Sequence, residues 1–352
     1  MREKLRSVRK IAVLRANALG DLIFSLPAFD ALRAAYPEAE ISLLGREWHA
    51  DFLRNRPGAI DRVIVVPDHP GVTVAPGEEV DPAAIAEFID RMAREHFDLG
   101  IQLHGGGGHS NPFLSSLGAT HTAGTRGKDA TPLDRTISYV YFQNEVLRWL
   151  EVVSLVGARP VTIEPHLAVI DRDKEEAAGV VMPGDRPIAV VHPGVSSIDR
   201  AWPVEKFAAV GDVLATAGVR VVISGGPDER ELTATMKALM TEPAEDIGGR
   251  LSLGGLAGLL SRAGLVVAND TGPLHLASAV GAPTVGVFWC FNAINGGHTA
   301  ADNHRPVISW RIHCSQCGQS QLAVPPCDHA ESYVKDIPVE QVTEPALELL
   351  AG

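Results

Sequence analysis

The chain has 352 residues, of which 45% are apolar and 21% charged, so its length predicts two domains and its composition excludes a disordered chain. A net charge of −12 argues against a general nucleic-acid-binding protein, which needs a basic surface. The sequence contains no apolar run of about 18 residues, and no signal-peptide core follows its basic N-terminus, so we expect a cytoplasmic protein. Four cysteines are too few for a disulfide-rich secreted framework.

Charge is distributed unevenly along the chain. Residues 1–165 contain 18 lysines and arginines against 21 acidic residues, and residues 166–352 contain 13 against 22. Five basic residues among the first ten can attract an anionic surface weakly, although a solvated basic terminus is the simpler explanation. We therefore expect no nucleic-acid partner and at most peripheral contact with the inner face of a membrane.

Short apolar runs alternate with longer amphipathic runs, which is typical of strands that alternate with helices. In the first half, a glycine-rich loop separates the last predicted strand from a long helical segment. In chain order, the first half predicts a strand at 10–16, a helix at 22–35, a strand at 40–44, a helix at 47–54, a strand at 61–66, a helix at 82–95, a strand at 98–103 and a helix at 139–156.

The pattern restarts near residue 187, which predicts a second unit of the same kind. Its strands are expected at 187–191, 219–223, 264–268 and 283–288, and its helices at 203–217, 228–240, 253–262 and 273–280. Prolines and glycines break regular structure in 158–186, so we divide the chain into domains 1–165 and 166–352. This alternation predicts an α/β protein with two doubly wound, Rossmann-like parallel sheets that face a central cleft.

The turn after the first predicted strand, RANALGD, carries one carboxylate. A dinucleotide-binding fold would have G-x-G-x-x-G here, and only Gly20 is present, which weakens a dehydrogenase interpretation. Asp21 stands where the next helix begins, so it can cap that helix. It can also serve as a general base that takes a proton from an attacking hydroxyl.

A glycine-rich loop, HGGGGH, occupies residues 104–109. An HGGG sequence can form the oxyanion hole of an esterase, but the chain has no G-x-S-x-G motif to supply the nucleophile. Four glycines let the backbone approach a ligand closely, or they form a flexible loop.

Three turns in the second half follow strands. VHPGVSSIDRAWP at 191–203 offers hydroxyls, an arginine and a helix start, a combination suited to a diphosphate. SGGPDE at 224–229 places carboxylates where they can bind ribose hydroxyls or cap a helix. VVANDTGPLHLA at 266–277 is a strand, a turn and a helix whose N-terminus favours an anion, although Asp270 and Thr271 can simply cap that helix.

The four cysteines lie within 38 positions, spaced C-x23-C-x2-C-x9-C. Cys290 follows the predicted strand 283–288, and Cys314 follows a further predicted strand at 306–312, so parallel pairing of those strands would bring their thiols together. Ordinary reduced thiols are one interpretation, and a tetrahedral structural site for zinc or iron is the other, in which His313 or His329 can replace one ligand. The ligands of that site would be Cys290, Cys314, Cys317 and Cys327.

Taken in order, these turns resemble the heptosyltransferases of glycosyltransferase family 9. The likeness runs from LGDLIFSLPAFDALRAAYP through HPGVSSIDRAWP and GGPDE to NDTGPLHLASAVGAPTVGVF, over nearly the whole chain. The resemblance implies a GT-B fold, an acceptor bound mainly by the first domain, a nucleotide sugar bound mainly by the second, and a C-terminal helix at about 338–350 that returns to the first. It also implies inverting transfer of heptose from ADP-heptose to a lipopolysaccharide core without a catalytic metal. Some members that glycosylate proteins are similar in carrying a four-cysteine iron site.

The resemblance assigns roles position by position. Asp21 matches the catalytic base, Glu229 the carboxylate that binds the ribose, and Leu251 a residue whose backbone contacts the adenine. The family often has lysine where this chain has arginine at 200, and a planar guanidinium changes the geometry of that contact. The positions that contact the diphosphate and the sugar are matched by Ser196, Arg200, Asp270, Thr271, Gly272 and His275.

These roles imply a single displacement. Asp21 would take the proton of an acceptor hydroxyl whose oxygen attacks opposite ADP, while the donor site stabilises the leaving diphosphate. The acceptor can be a lipopolysaccharide core or a related glycan or glycolipid, but the slightly acidic first domain also suits a neutral or cationic small molecule, or a protein. A nucleotide-sugar epimerase or hydrolase and a non-catalytic ADP-sugar-binding protein are the alternative functions.

Overall fold

The computed structural model describes residues 3–299, 302–322 and 327–351. The chain divides into two compact units, Met1–Ala168 and Val169–Gly352, three residues from the boundary placed by the proline and glycine pattern. Each unit combines one parallel sheet with helices. Within the described ranges, no helix is both long enough and apolar enough to cross a bilayer.

The first unit contains a six-stranded sheet in which every pair of neighbouring strands is parallel, in the order β3-β2-β1-β4-β5-β6. Helices follow most of its strands. The elements are β1 (Lys10–Leu14), α1 (Leu19–Ala35), β2 (Glu40–Gly45), α2 (Glu47–Leu53), β3 (Arg62–Val65), α3 (Pro82–Ala93), β4 (Leu99–Gln102), α4 (Ser110–Ser116), β5 (His121–Arg126), β6 (Arg135–Ser138) and α5 (Glu145–Ser154).

The second unit contains another parallel six-stranded sheet, in the order β12-β11-β10-β7-β8-β9. Two short 3-10 turns, Ile198–Arg200 and Pro227–Glu229, follow its first two strands. The other elements are α6 (Asp171–Val180), β7 (Ile188–His192), α7 (Val204–Thr216), β8 (Arg220–Ile223), α8 (Arg230–Leu239), β9 (Ala244–Asp246), α9 (Leu253–Leu260), β10 (Leu265–Asn269), α10 (Gly272–Ala279), β11 (Thr284–Trp289), α11 (Cys290–Gly296), β12 (His304–Ser309) and α12 (Glu340–Ala351).

The two sheets share one topology. Counted from its own first strand, the second sheet repeats the order of the first, and in each the strand order reverses between the first and fourth strands. Doubly wound sheets bind ligands at this reversal, beyond the carboxyl ends of the strands. The turns after β1 and β4, and those after β7 and β10, therefore occupy the two positions where function is expected.

Each sheet lies at the centre of its unit because its strands are apolar. All five residues of β10 and all five of β7 are buried, because helices cover both faces of a doubly wound sheet. The largest core cluster of the second unit joins these strands to α7 and α12, with Phe207, Leu214 and Val342 fully buried. Such cores fix the positions of the strand ends and hence of the turns that follow them.

The structure corrects one predicted element and adds others. The helix predicted at 139–156 begins only at Glu145, because the Asn144 side chain accepts the backbone N–H groups of Val146 and Leu147 and caps it there. Further elements are absent from the prediction because their residues are polar or small. The sequence HTAGTR, for example, lacks the apolar alternation of a strand and yet forms β5. The other elements absent from the prediction are β6, β9, α4, α6 and α11.

The C-terminal helix α12 is present close to its predicted position. It packs against α7 and the strands β10, β11 and β12 of the second unit, where Val342 and Ala346 are buried. Its return to the first domain stays a prediction.

Candidate functional site

Asp21 lies in the first turn of α1, at the carboxyl edge of β1. Its Oδ2 accepts a hydrogen bond from the backbone N–H of Ala18 at 3.1 Å, so the carboxylate caps the helix from within its first turn. Its Oδ1 lies 2.9 Å from Nη2 of Arg15, and 36% of the side chain remains exposed. The carboxylate is thus held in one orientation while still open to a substrate.

Arg15 holds Asp21 from the end of β1, and no sequence motif predicts this role. Only 2% of its side chain is exposed, and burial lowers its pKa while the Asp21 charge opposes that effect. Its guanidinium donates to the carbonyl oxygens of Asp21 and Leu103 at 2.9 and 2.6 Å and lies 3.3 Å from Glu145 Oε2. These partners come from separate elements, so only the folded chain brings them together.

The glycine-rich loop after β4 is fixed by hydrogen bonds from two neighbouring strands. The Gln102 amide donates to the carbonyl oxygens of His104 and Gly105 at 2.8 and 3.0 Å, and the Thr125 hydroxyl also donates to Gly105. Gly107 has φ of +87°, a conformation that favours glycine. Because β4 is the neighbour of β1, this loop lies beside the turn that carries Asp21.

In the second unit, the turns after β7 and β10 are joined by Arg200. Its Nη1 donates to the carbonyl oxygen and to the carboxylate of Asp270, both at 2.9 Å, and its Nη2 donates to Ser196 Oγ at 3.0 Å. The structure therefore brings together Ser196, Arg200 and Asp270, which are up to 74 positions apart in the sequence. A guanidinium and a hydroxyl at a strand edge are groups that bind phosphate oxygens.

The helix α10 begins within this group. Thr271 has extended backbone angles and no side-chain capping bond, and Gly272 and Pro273 are the first helical residues, so the helix N-terminus lacks a side-chain cap. Unpaired N–H groups and the helix dipole favour an anion at such a position.

Asp270 is a structural centre of the group as well as a predicted ligand. It is 4% exposed, and its two carboxylate oxygens each lie 2.9 Å from a partner, His275 Nε2 on one side and Arg200 on the other. Although burial acts in the opposite direction, these two partners lower the pKa of Asp270. Both of its oxygens are already engaged, and the predicted contact of Asp270 with the donor stays a prediction.

Glu229 ends the 3-10 turn after β8. Its Oε2 accepts the backbone N–H of Gly226 at 2.7 Å, and 29% of the side chain is exposed. The same oxygen lies 3.7 Å from His192 Nε2, at the end of β7. Because β8 is the neighbour of β7, and β7 of β10, all three predicted donor turns lie at one edge of one sheet. Leu251, half-buried, precedes the α9 cap formed by Ser252.

A compact cysteine and histidine group forms a second candidate site. Its potential ligand atoms all lie within 4.8 Å of one another. His329 lowers the pKa of the Cys327 thiol to about 7, whereas burial raises the pKa of Cys314 to about 11. Three thiols and one imidazole form a donor set that zinc prefers. The members are Cys314, Cys317, Cys327 and His329.

Cys290 is not part of this group, which corrects the predicted four-cysteine set. It is 3% exposed and belongs to the hydrophobic core of the second unit, at the start of α11. The position in the group that was predicted for Cys290 is taken by His329, so the fourth potential ligand is His329. His313, the other histidine considered, lies outside the group as well.

Two doubly wound sheets with these turns define a GT-B glycosyltransferase, and the comparisons with known proteins support this class. A crystal structure of a glycosyl transferase family 9 protein from Veillonella parvula superposes with a TM-score of 0.79 at 20% identity, covering 99% of both chains. The profile of glycosyltransferase family 9 (heptosyltransferase) matches residues 85–325. The chain belongs to this family and is a glycosyltransferase, which confirms the predicted fold class and family.

Two further relatives are heptosyltransferases. Lipopolysaccharide heptosyltransferase 1 of Pseudomonas aeruginosa is 26% identical over 327 residues, which cover 88% of this chain and 86% of that protein. The structure of E. coli heptosyltransferase WaaC with ADP-2-deoxy-2-fluoro heptose superposes with a TM-score of 0.62 at 21% identity, covering 85% of this chain and 92% of the other.

Proposed function

We propose that this glycosyltransferase transfers heptose from ADP-heptose to an acceptor hydroxyl with inversion at the anomeric carbon, in the synthesis of lipopolysaccharide or a related glycan. The observation that carries the proposal is the group formed by Arg200, Ser196 and the N-terminus of α10. It presents cationic and hydrogen-bond-donating groups at one strand edge. The similar structure of E. coli heptosyltransferase WaaC with ADP-2-deoxy-2-fluoro heptose supports ADP-heptose as the donor.

The donor turns would stabilise the charge that develops on the departing diphosphate. Arg200 is already oriented by Asp270, so little reorganisation is needed when the negative charge appears. The N–H groups at Thr271 and Gly272 add the positive end of the helix dipole. Because a guanidinium and a helix N-terminus supply this charge, we propose that the transfer itself uses no metal ion. Glu229 would bind the ribose, and the backbone near Leu251 the adenine.

The first unit would supply the base. Asp21 would accept the proton of the acceptor hydroxyl as the oxygen attacks the anomeric carbon opposite the ADP. Arg15 and the N–H of Ala18 hold the carboxylate so that its free lone pairs remain available to that proton. We place the reaction in the cytoplasm, with at most peripheral contact with the inner face of the membrane.

The donor and the stereochemistry are tested together. Calorimetric titration with ADP-heptose and with UDP-sugars measures the donor preference, and we expect ADP-heptose to bind more tightly. Transfer to heptose-deficient lipopolysaccharide is then followed with and without acceptor, and the anomeric configuration of the product is determined by NMR. Tight binding of UDP-sugars alone contradicts the donor assignment, and retention of configuration contradicts a single displacement.

The same experiment separates the alternative functions. Free heptose released equally with and without acceptor would identify a hydrolase, and a changed sugar stereocentre would identify an epimerase. Binding without turnover would identify a non-catalytic ADP-sugar-binding protein. If the lipopolysaccharide probe is not glycosylated but an aminoglycoside or a protein is, the donor assignment stands and the acceptor assignment changes. Turnover that stays constant when Mg²⁺ is added or chelated is expected for metal-independent transfer.

We also propose that Cys314, Cys317, Cys327 and His329 bind a structural zinc or iron ion. The ligand atoms are close enough for a tetrahedral site, and their chemistry fits a soft or borderline metal. The ion would cross-link the segment between β12 and α12. It has no role in the transfer step, because none of the four ligands belongs to the donor turns.

A further inference from the structure

His192 and Gly194, both in the HPG sequence after β7, surround the carboxylate of Glu229. The Nε2 atom of His192 lies 3.7 Å from Glu229 Oε2, and the imidazole is 5% exposed. On the other side, a Cβ atom built on Gly194 would lie 1.9 Å from Glu229 Oε1 and 2.3 Å from its Cδ. Only glycine at 194 therefore leaves room for the carboxylate in its observed position.

The neighbours of the imidazole ring bear on which nitrogen of His192 carries the proton. Its Nδ1 lies 3.2 Å from the hydroxyl of Ser224, a residue that is 2% exposed. A ring with its proton on Nε2 directs an N–H toward the carboxylate and accepts the Ser224 hydroxyl proton at Nδ1. The opposite tautomer would direct a lone pair at a negative charge. The first arrangement is electrostatically favoured. At 3.7 Å the approach of Nε2 to Oε2 is a charge–dipole contact and not a hydrogen bond, so His192 orients the carboxylate without bonding it.

We propose that these contacts position Glu229 to accept both ribose hydroxyls of the nucleotide, and that His192 is thereby a specificity-determining positioning residue for a ribonucleoside diphosphate. Gly226 N–H and His192 both approach Oε2, whereas the space at Oε1 is kept free of a side chain by Gly194. A carboxylate fixed in this way can accept hydrogen bonds from two adjacent hydroxyls. A mobile carboxylate would have to lose conformational freedom on binding, which weakens the discrimination.

The inference rests on the proposed donor site, and it predicts an effect that a general loss of stability cannot produce. The measurement is the ratio of the dissociation constant of 2′,3′-dideoxy-ADP to that of ADP, determined by calorimetry on the full-length protein. Hydrogen bonds to a charged group favour a ratio of about 10 or more in the wild type. His192→Leu is expected to reduce this ratio at least threefold while binding of the dideoxy nucleotide stays unchanged.

Three variants accompany His192→Leu. His192→Gln can place an amide N–H near the position of Nε2 and is expected to restore most of the ratio. Gly194→Ala is expected to lower the ratio as His192→Leu does, because its methyl group displaces the carboxylate. Glu231→Gln, an exposed carboxylate on α8, is the matched control and is expected to leave the ratio at its wild-type value.

The outcomes distinguish the inference from the proposed function. Equal weakening of both nucleotides by His192→Leu, or an unchanged ratio, overturns the positioning role. If His192→Leu does not fold, His192→Gln and Gly194→Ala still decide, since a normal ratio in Gly194→Ala is incompatible with a carboxylate fixed at this position. A wild-type protein that binds ADP with a ratio of about 1 removes the ribose role of Glu229 while the diphosphate site stands. Absence of ADP binding removes the proposed donor itself.

Discussion

At the residue scale, Asp21 and Asp270, to which we propose different chemical roles, differ in the exposure of their carboxylates. Both carboxylates are bonded at both oxygens, but Asp21 remains 36% exposed whereas Asp270 is 4% exposed. A general base must reach a substrate proton, and an exposed carboxylate can do so. Asp270 is suited instead to orienting Arg200 and His275, so that charge is already in place where the diphosphate would lie.

The first prediction concerns Asp21. Asp21→Asn keeps the shape of the side chain and can still interact with the N–H of Ala18, but the amide cannot accept a proton from an attacking hydroxyl. We expect turnover to fall by about 10² to 10⁴, the usual contribution of a general base. The dissociation constant of ADP should stay within about twofold of wild type, because the proposed donor groups belong to the second unit.

Two measurements check this prediction. Initial rates at saturating ADP-heptose give turnover, and calorimetry gives ADP affinity. Glu38→Gln, an exposed carboxylate in the turn after α1, serves as the control. An Asp21→Asn protein with full turnover would show that the carboxylate only caps α1.

At the scale of elements, the segment between β12 and α12 connects the cysteine and histidine group with the turn that carries Arg200. Glu331, almost fully buried, accepts the backbone N–H of Ser315 at 2.6 Å, between two of the cysteines. Two residues further on, the Tyr333 N–H donates to the carbonyl oxygen of Asp199 at 2.9 Å. The Trp202 indole N–H donates to the Ile337 carbonyl at 3.0 Å. Residues 331–337 thus support the turn that carries Arg200.

The second prediction follows from this connection. Cys317→Ser should remove one equivalent of bound metal, lower the melting temperature and weaken ADP binding by about 2- to 10-fold, the effect of losing one or two positioned hydrogen bonds. Cys290→Ser is the matched control, because its thiol lies in the hydrophobic core and not in the ligand group. It should retain the metal.

Elemental analysis, thermal denaturation and calorimetry on the same preparations test these statements. Metal-free wild-type protein with normal stability would end the proposal of a metal site. Loss of metal in Cys290→Ser, but not in Cys317→Ser, would contradict the assignment of the ligands. Metal loss without a change in ADP affinity would separate the metal site from the donor turn.

The helices and strands differ in how far the sequence predicts them. Long periodic segments such as α1 and buried apolar strands such as β10 are specified by local pattern, so their positions agree within three residues. The strand β5 was missed because its polar and small residues carry no period-2 signal. Turn motifs predict individual functional side chains at the strand ends, and those roles stay predictions. The motifs do not point to Arg15 or His192, since the partners of these two residues come from other strands or helices.

At the scale of the whole molecule, buried histidines make both units sensitive to acid. Burial lowers the pKa of His49 to about 3, that of His104 to about 4 and that of His298 to about 2. In the first unit, His49 Nδ1 accepts the N–H of Arg46 at 3.0 Å and His104 Nδ1 accepts the N–H of Ala16 at 3.3 Å. Protonation would abolish both bonds, so the folded state keeps these rings neutral.

The third prediction is a loss of stability as the pH falls from about 6.5 to about 4. In this window the histidines of the unfolded chain bind protons that the folded chain does not, and the free energy of unfolding therefore decreases with decreasing pH. Each fully responding histidine contributes about 1.4 kcal/mol per pH unit. The carboxylate of Asp270, whose pKa is lowered, adds to the loss only at still lower pH.

Urea denaturation at a series of pH values, followed by hydrogen exchange of first-unit peptides, measures this dependence. His104→Asn keeps an acceptor near the position of Nδ1 but does not titrate, so it should flatten the slope between pH 6.5 and 4 for the first unit. His121→Asn, at the exposed start of β5, should leave the slope unchanged. In His104→Asn the imidazole can no longer contribute to the slope. A full wild-type slope in this variant would therefore show that the acid sensitivity of the first unit comes from other groups.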